Sequence, residues 1–389
     1  MGPKGFDAAH GHAKAGEHGV AWFERAVAAL GLTDRVIEVA AGLGGSEAPV
    51  HRVTAVGGRV WALRARPPEQ TEAITREAAN AQLGASLGVA PRVLGLYCGP
   101  EVACLLTEWV PGQPLADVLA AEPERILAWG RAMGRFLAAM HQAAQRHAGL
   151  ATLDAGWARP HSDEESRRLE QLPPCHVSTL VHLDFHPLNV VASGGGVAAA
   201  VDWMNAGAGD ARLDVARTAA GLALDGPNYD AAWERWIPPL LAALADGYEA
   251  SAGPLEEMAP FMRWAGEATL RDLRLKRTPA QVAQMQATAR RWEHAPWAAY
   301  PRHIWALGAA VVWRPGSSPA EPTRLHLVRR APQSSRSWGG SESPPPSGVP
   351  RPFGPWTPGT GDALPGRQYR AVGVPSSVRS TTFDSTNVE

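Results

Sequence analysis

The sequence predicts an α+β fold in two lobes, a small antiparallel sheet followed by a mainly helical half, with a tail that has no core of its own. Three observations carry this. Residues 35–108 read as short apolar strands broken by glycine turns, with one helix among them. Residues 109–314 read mostly as amphipathic helices. Beyond about Pro315, Ser, Pro, Gly and Arg dominate and no amphipathic period survives, so the stretch cannot bury enough apolar surface to fold. The expected divisions are therefore 17–108, 109–314 and a disordered tail at 315–389. A chain of 389 residues has room for two such lobes, and an apolar fraction of 45% is ordinary for a sizeable core.

The elements follow in order. Residues 1–16 are rich in Gly, Ala and His and read as a frayed terminus. Val20, Phe23, Val27 and Leu30 recur at helical spacing between Glu17 and Leu32. Three strands are expected at Arg35–Ala40, Val50–Val56 and Arg59–Arg66, the last two joined by a hairpin at Gly57-Gly58. Between the first two lies Gly42-Leu43-Gly44-Gly45-Ser46, a turn whose backbone amides can approach a phosphate. On the third strand Ala62 and Arg64 share a face, because strand residues alternate. A helix spans Glu69 to Leu87, closed by Gly88, and two further strands fall at Arg92–Tyr97 and Ala103–Glu108.

Glu108-Trp109-Val110-Pro111-Gly112 reads as the turn between the lobes. Ile126, Leu127, Met133, Phe136, Leu137 and Met140 mark a long helix within Pro123–His147. Residues 150–177 are polar and proline-bearing, and read as a connecting insertion. An apolar helix is expected at Leu213–Leu224, and helical periodicity dominates from Tyr229 to Trp292. In that last region Asp225, Asp230, Glu234, Asp246, Glu249, Glu256, Glu257 and Glu267 outnumber Arg235 and Arg263. Such an acidic stretch either draws a cationic acceptor to the cleft or is simply a solvated helix surface.

Charge and cysteine content exclude several classes. The formal net charge is −1, so nothing points to nucleic acid or an anionic membrane. Only Lys4, Lys14 and Lys276 are lysines, so a phosphate-gripping cation has to be an arginine. Cys98, Cys104 and Cys175 are odd in number and lack metal-site spacing, which argues against a disulfide framework and for buried free thiols. No basic segment followed by an apolar run opens the chain, and no apolar run approaches about 18 residues. A cytoplasmic protein is expected.

The chemistry concentrates in Leu180-Val181-His182-Leu183-Asp184-Phe185-His186-Pro187-Leu188-Asn189-Val190-Val191. A turn at Ser193-Gly194-Gly195-Gly196 follows, then an apolar strand ending in Asp202. This strand–turn–strand brings Asp184, Asn189 and Asp202 to one place. Hard oxygen groups so gathered suit a magnesium–phosphate site. Asp184 is the candidate to accept or orient a hydroxyl proton, and Asn189 and Asp202 are the candidate metal ligands. A metal triplet of His182, Asp184 and His186 is the other reading, weakened by Pro187 and by the lack of a further His or Cys cluster. His182 reads as a structural hydrogen-bonder and His186 as a packing residue of the loop.

His182-x-Asp184-x-x-x-x-Asn189 has the spacing of the kinase catalytic loop. With Trp203 after Asp202, His186-Pro187 inside the loop and a later Gly209-Asp210-x-x-x-Asp214, the chain resembles the aminoglycoside phosphotransferase and choline kinase-like family. The resemblance covers roughly residues 35–275, and Leu183 departs from it where a glycine is usual. It implies a two-lobed protein-kinase-like fold with nucleotide in the cleft. It further implies that Arg64, paired with Glu77, steadies the phosphates, and that the turn holding Gly44, Gly45 and Ser46 covers them. The hinge backbone at Glu108 and Val110 would bind the base. Asp214 would brace the loop, His141 would be a core residue, and Asp210 would either reach substrate or shape a turn. The implied reaction moves the γ-phosphoryl of ATP or GTP, with Mg2+, to a hydroxyl of a small acceptor. A metabolite kinase for choline, homoserine or a sugar, and a pseudokinase that only binds nucleotide, are the alternatives.

Overall fold

The computed structural model describes residues 26, 28–30, 36–41, 50–153, 156–175, 177–229 and 233–293. The expectations for residues 1–16, for the glycine turn at 42–46 and for the tail at 315–389 lie outside the described residues, as does most of the helix expected at 17–32.

The first lobe is one antiparallel sheet. Its strands are β1 (Val36–Ala41), β2 (Val50–Ala55), β3 (Val60–Arg66), β4 (Val93–Cys98) and β5 (Ala103–Glu108), in the order β1-β2-β3-β5-β4. Gly57 and Gly58 turn β2 into β3 with φ of 95° and 79°, angles that only glycine holds without strain. Alternation then sorts the side chains. Val53, Ala55, Trp61, Leu63, Cys104 and Leu106 bury on one face, against Ala26 and Leu30. The other face carries Ala62 and Arg64, and on it Ala103 and Leu105 pack under Ile74 and Ala78 of helix α1 (Thr71–Ser86). The element boundaries of this lobe depart from the sequence reading by one or two residues, the usual extent of end fraying.

The second lobe opens with the short strand β6 (Gln113–Pro114), helix α2 (Leu115–Ala121) and the long helix α3 (Ile126–Ala144). Trp129, Met133, Leu137 and Met140 of α3 head the largest core cluster. Helix α4 (Asp163–Glu170) corrects the reading of 150–177 as a plain connection. It has a single large apolar residue, Leu169, so periodicity could not reveal it. Its capping chemistry could have. The Ser162 side chain accepts from the Glu165 amide at 3.1 Å, Asp163, Glu164 and Glu165 fill the first turn, and Arg167 and Arg168 fill the last.

Two small sheets carry the chain back to the lobe interface. Strand β7 (Thr179–Val181) pairs with β10 (Gly207–Gly209), and β8 (Val190–Ser193) lies between β6 and β9 (Gly196–Ala200). Helices α5 (Ala211–Tyr229), α6 (Trp233–Ala252), α7 (Met258–Leu273) and α8 (Pro279–Glu293) complete the lobe. Helices α3 and α6 approach closely because glycines face the contact. A Cβ on Gly134 would run into the α6 backbone at Leu244 and Tyr248, and one on Gly247 into the α3 backbone at Arg131. Among the described residues no helix is long and apolar enough to cross a membrane. The three cysteines are free, but only Cys104 is buried; Cys98 and Cys175 are exposed, which corrects the expectation of buried thiols.

Candidate active site

The loop between β7 and β8 is held from below by one carboxylate. Asp214, in the first turn of α5 and wholly buried, accepts the backbone amides of His182 at 2.7 Å and Leu183 at 2.9 Å. Its Oδ2 also meets His141 Nε2 at 3.1 Å, and His141 Nδ1 meets the Tyr248 hydroxyl at 2.9 Å. Burial works against ionising Asp214, but the His141 contact and the His182 amide outweigh it and hold the carboxyl below its usual range. His182 is neutral, since burial lowers its pKa. Its Nε2–H donates to the Val201 carbonyl at 3.0 Å, and its Nδ1 accepts the Asp184 amide at 3.3 Å. One imidazole thus ties the catalytic loop to the strand that ends at Asp202.

Three non-glycine residues take a left-handed backbone among the described residues, and two of them adjoin the candidate acids: Leu183 (φ 60°) and Asp202 itself (φ 67°). For an L-residue this region costs about 1–2 kcal/mol, least for Asp and Asn. Leucine stands at 183 where glycine would be free of that cost. Its side chain offsets the cost by being 4% exposed in the core, and Asp214 fixes its amide. Strain held in place by surrounding bonds is typical of working loops.

Above this brace the candidate groups meet. Asn189 Nδ2 donates to the Asp184 carboxylate and to its backbone carbonyl, both at 3.0 Å. The Asn189 carbonyl accepts the Val201 amide at 2.9 Å, which sets Asn189 beside the residue preceding Asp202. His186 Nε2 lies 3.3 Å from the Asp184 carboxylate and 3.3 Å from Asn189 Nδ2. The expectation that His186 merely packs is therefore corrected: the residue is partly exposed and faces the candidate base. Burial opposes ionisation of Asp184, yet the His186 contact, with Arg217 beyond it, holds its carboxyl below the ordinary range. The same pairing raises His186 against the lowering effect of its burial.

Asp202 joins the other half of the site. Its Oδ1 accepts from Arg64 Nη1 at 2.8 Å, and Arg64 Nε lies 3.3 Å from Glu77 of α1. Arg66, two residues along the same strand face, approaches the second Glu77 oxygen at 4.0 Å. Burial pushes the Glu77 carboxyl up to about 7, Asp202 adds to the rise, and Arg64 and Arg66 offset only part of it. Arg64 feels the opposite balance: burial lowers its pKa, and Asp202, Glu77 and Asp184 raise it on the whole. Asp184 and Asp202 are linked through His182, which accepts the Asp184 amide and donates to the carbonyl of Val201, the residue before Asp202.

Arg64, Glu77 and Asp202 line a cleft between the lobes. Ala62, Arg64 and Leu105 line it from the sheet, Glu108, Trp109, Val110 and Gly112 from the hinge, and Val191, Val201 and Asp202 from below. Glu108 and Val110 both line this cleft, and the Glu108 side chain pairs with exposed Arg92 at 2.5 Å. Gly44, Gly45 and Ser46 lie outside the described residues. Trp203 is buried; its indole donates to the Ala200 carbonyl at 3.0 Å and packs so closely on Gly84 that a Cβ there would sit 2.9 Å from the ring. Asn80 of α1 donates to the Trp203 and Ala206 carbonyls at 3.1 and 2.8 Å. The helix bearing Glu77 is thereby bolted to the segment bearing Asp202.

The sequence reading missed Arg66, Asn80, His186 and Arg217. Strand alternation could have found Arg66, and helical spacing could have found Asn80, three residues beyond Glu77 on one face. In the second lobe two of the acidic residues are paired with arginines. Asp225 is gripped by Arg277 Nε and Nη2 at 2.6 Å each, and Glu257 pairs with Arg212 at 3.2 Å. Arg271, Arg274, Lys276 and Arg277 offset the carboxylates of that region. Asp210 spends both oxygens on Arg212.

The donor set can be tested against a hard divalent cation. Among the described residues no three His, Cys, Asp or Glu side chains gather as a metal cage. Asn189 turns its NH2 toward Asp184, which leaves its side-chain oxygen facing away, and Asp202 uses only Oδ1 on Arg64. One carboxylate and one amide oxygen suit Mg2+, which takes few protein ligands and shares the rest with phosphate and water.

The lobed architecture, with a hinge cleft and a loop carrying His182, Asp184 and Asn189, defines a kinase-like protein. The family model described as the phosphotransferase enzyme family matches residues 38–261, more than half of the chain, and the chain belongs to that family. It is a phosphotransferase. Among solved structures it is similar to amicoumacin kinase hAmiN in complex with AMP-PNP, Ca2+ and Ami, at 16% identity and a TM-score of 0.52, over 71% of this chain and 95% of that one. It is also similar to aminoglycoside phosphotransferase APH(4)-Ia, at 16% identity and a TM-score of 0.49, over 70% and 98% of the two chains. Macrolide 2'-phosphotransferase MphH from Brachybacterium faecium aligns at 17% identity and a TM-score of 0.44, over 72% and 99%. No curated protein matches the chain.

Proposed function

We propose that the chain is a small-molecule kinase that moves the γ-phosphoryl of ATP or GTP to a hydroxyl of a small acceptor. The observation that supports this is that the Asp184–Asn189 pair is tied through His182 and Val201 to the strand ending at Asp202, whose pair with Arg64 lines the hinge cleft. The base of the nucleotide would lie between Ala62 and Val191, with its edge toward the backbone at Glu108 and Val110. Arg64, held by Glu77, would turn its fork to the phosphates, which it can bind through two N–H groups at once. Asn189 and Asp202 would hold Mg2+, which when bound screens the negative charge of the phosphate oxygens.

Asp184 has a narrower task than a strong base. Its carboxyl lies far below the usual range, so it remains ionised and takes up a proton reluctantly. Its role is to accept a hydrogen bond from the acceptor hydroxyl and aim the oxygen at phosphorus. The proton leaves late, which suits a loose transition state. His186 and Asn189 fix the carboxylate plane from two sides.

The test is nucleotide turnover by the full chain with magnesium, against a panel of aminoglycosides, macrolides and small alcohols, beside Asp184→Ala and Asp202→Ala. Acceptor-stimulated turnover that both substitutions remove is the expected result. Nucleotide binding with no turnover for any acceptor would instead make the protein a nucleotide-responsive binding module.

A further inference from the structure

Arg217 of α5 makes no contact with the cleft, yet all three of its nitrogens are engaged around the catalytic loop. Its Nε donates to the Leu183 carbonyl at 3.4 Å, its Nη1 to Thr269 Oγ1 at 2.7 Å and its Nη2 to Asp272 Oδ2 at 2.8 Å. The side chain is only 10% exposed, and Thr269 is buried. Asp272 is steadied in turn by Arg271 Nε at 2.8 Å, and Arg271 reaches Glu165 of α4 through Nη1. The chain of ionic contacts therefore runs from the peptide before Asp184, across α5 and α7, to the polar helix α4.

The Leu183 peptide is where such a device is needed. Leu183 holds φ 60°, a conformation leucine leaves readily when unrestrained. Its amide is fixed by Asp214 and its carbonyl by Arg217, so the peptide that aims Asp184 is gripped at both ends. We infer that Arg217, anchored by Asp272, is a positioning residue for Asp184: it clamps the strained Leu183 peptide and so sets the direction of the catalytic carboxylate. A lysine would not serve, because one ammonium cannot reach three acceptors spread around a planar fork. The inference rests on the reading of Asp184 as the group that orients the acceptor hydroxyl.

The test uses the full chain, magnesium–ATP, and two acceptors: water, followed as ATP hydrolysis, and any hydroxyl compound the panel identifies. Arg217→Lys and Arg217→Gln are expected to lower kcat by roughly 10- to 100-fold, the cost of an ångström-scale misplacement, with KM for ATP within about 2-fold of the parent. Asp272→Asn, at a partly exposed position, is expected to lower kcat by a smaller factor in the same pattern. In a Leu183→Gly background, where φ 60° needs no clamp, the further loss from Arg217→Gln is expected to shrink. Amide hydrogen exchange supplies a readout free of turnover: Asp272→Asn is expected to speed exchange at residues 182–186 and not evenly through α5 and α7. Parental kcat in both Arg217→Lys and Asp272→Asn, or exchange that rises evenly across the lobe, would overturn the inference. If Asp184→Ala leaves turnover unchanged, the catalytic reading of Asp184 falls, and the exchange pattern still decides whether Arg217 clamps the loop.

Discussion

Two acidic clusters, one on each side of the catalytic loop, differ in how completely their oxygens are used. Beneath the loop, Asp214 is wholly buried and spends both oxygens on two backbone amides and His141. Beside the cleft, Asp202 pairs one oxygen with Arg64, while the second Glu77 oxygen and two Arg66 nitrogens are buried without a hydrogen bond. A satisfied cluster stabilises the fold. A cluster with buried groups left unsatisfied costs stability. Scaffold and working site are thus separable in this molecule, and substitutions on either side should separate stability from activity.

The largest expected effect is on chemistry. Asp184→Ala should lower kcat by roughly 10²- to 10⁴-fold, while Tm stays near that of the parent, because Asp184 is partly exposed. Asp214→Ala should do the reverse in the first instance. It strips the acceptor from two buried amides and from His141, each worth about 1–3 kcal/mol. Its Tm, read by calorimetry, should fall by at least roughly 6 °C. Equal losses of stability in the two variants would erase the distinction.

A smaller effect belongs to Arg64. Arg64→Gln should raise KM for ATP by about tenfold, the order of one charge-assisted hydrogen bond. The smallest is a slope. The Glu77 carboxyl is raised to about 7 in the folded protein, from 4.5 when unfolded. Between those values the folded state binds the extra proton, so Glu77 favours folding at the acid end and loses that contribution as pH rises toward 7. Glu77→Gln should flatten this part of the Tm-against-pH curve, read as the difference from the parent. An unchanged slope would mean that Glu77 is already ionised across the window, as the Asp214 side of the comparison is.

Much of the fold was legible because the first lobe repeats one local signal. Alternating apolar residues with glycine turns give strands, and the five strands stand within a residue or two of their expected positions. Helix α4 was not legible by periodicity, because a helix with one large apolar residue has no stripe to show; only its Ser162–Glu165 capping pair marks it. The loop acids could be singled out because Asp184, Asn189 and Asp202 are close in sequence. Their partners were harder. Arg217 and Asp272 stand 33 and 88 positions beyond Asp184, and nothing local links an arginine in one helix to the carbonyl of a distant leucine. His186 was misjudged for a different reason: its position in the loop is visible, but the direction of its ring depends on how Asn189 and Asp184 fold around it.

The most direct measurement follows the phosphoryl group itself. Full-length protein and its Asp184→Ala and Asp202→Ala variants would be given ATP labelled at the γ-phosphorus, magnesium and the best acceptor of the panel. The expected result is label on the acceptor with the parent, nucleotide binding without transfer for Asp184→Ala, and neither tight binding nor transfer for Asp202→Ala. Label reaching the acceptor at the parental rate in either variant would contradict a transfer site built from these two carboxylates.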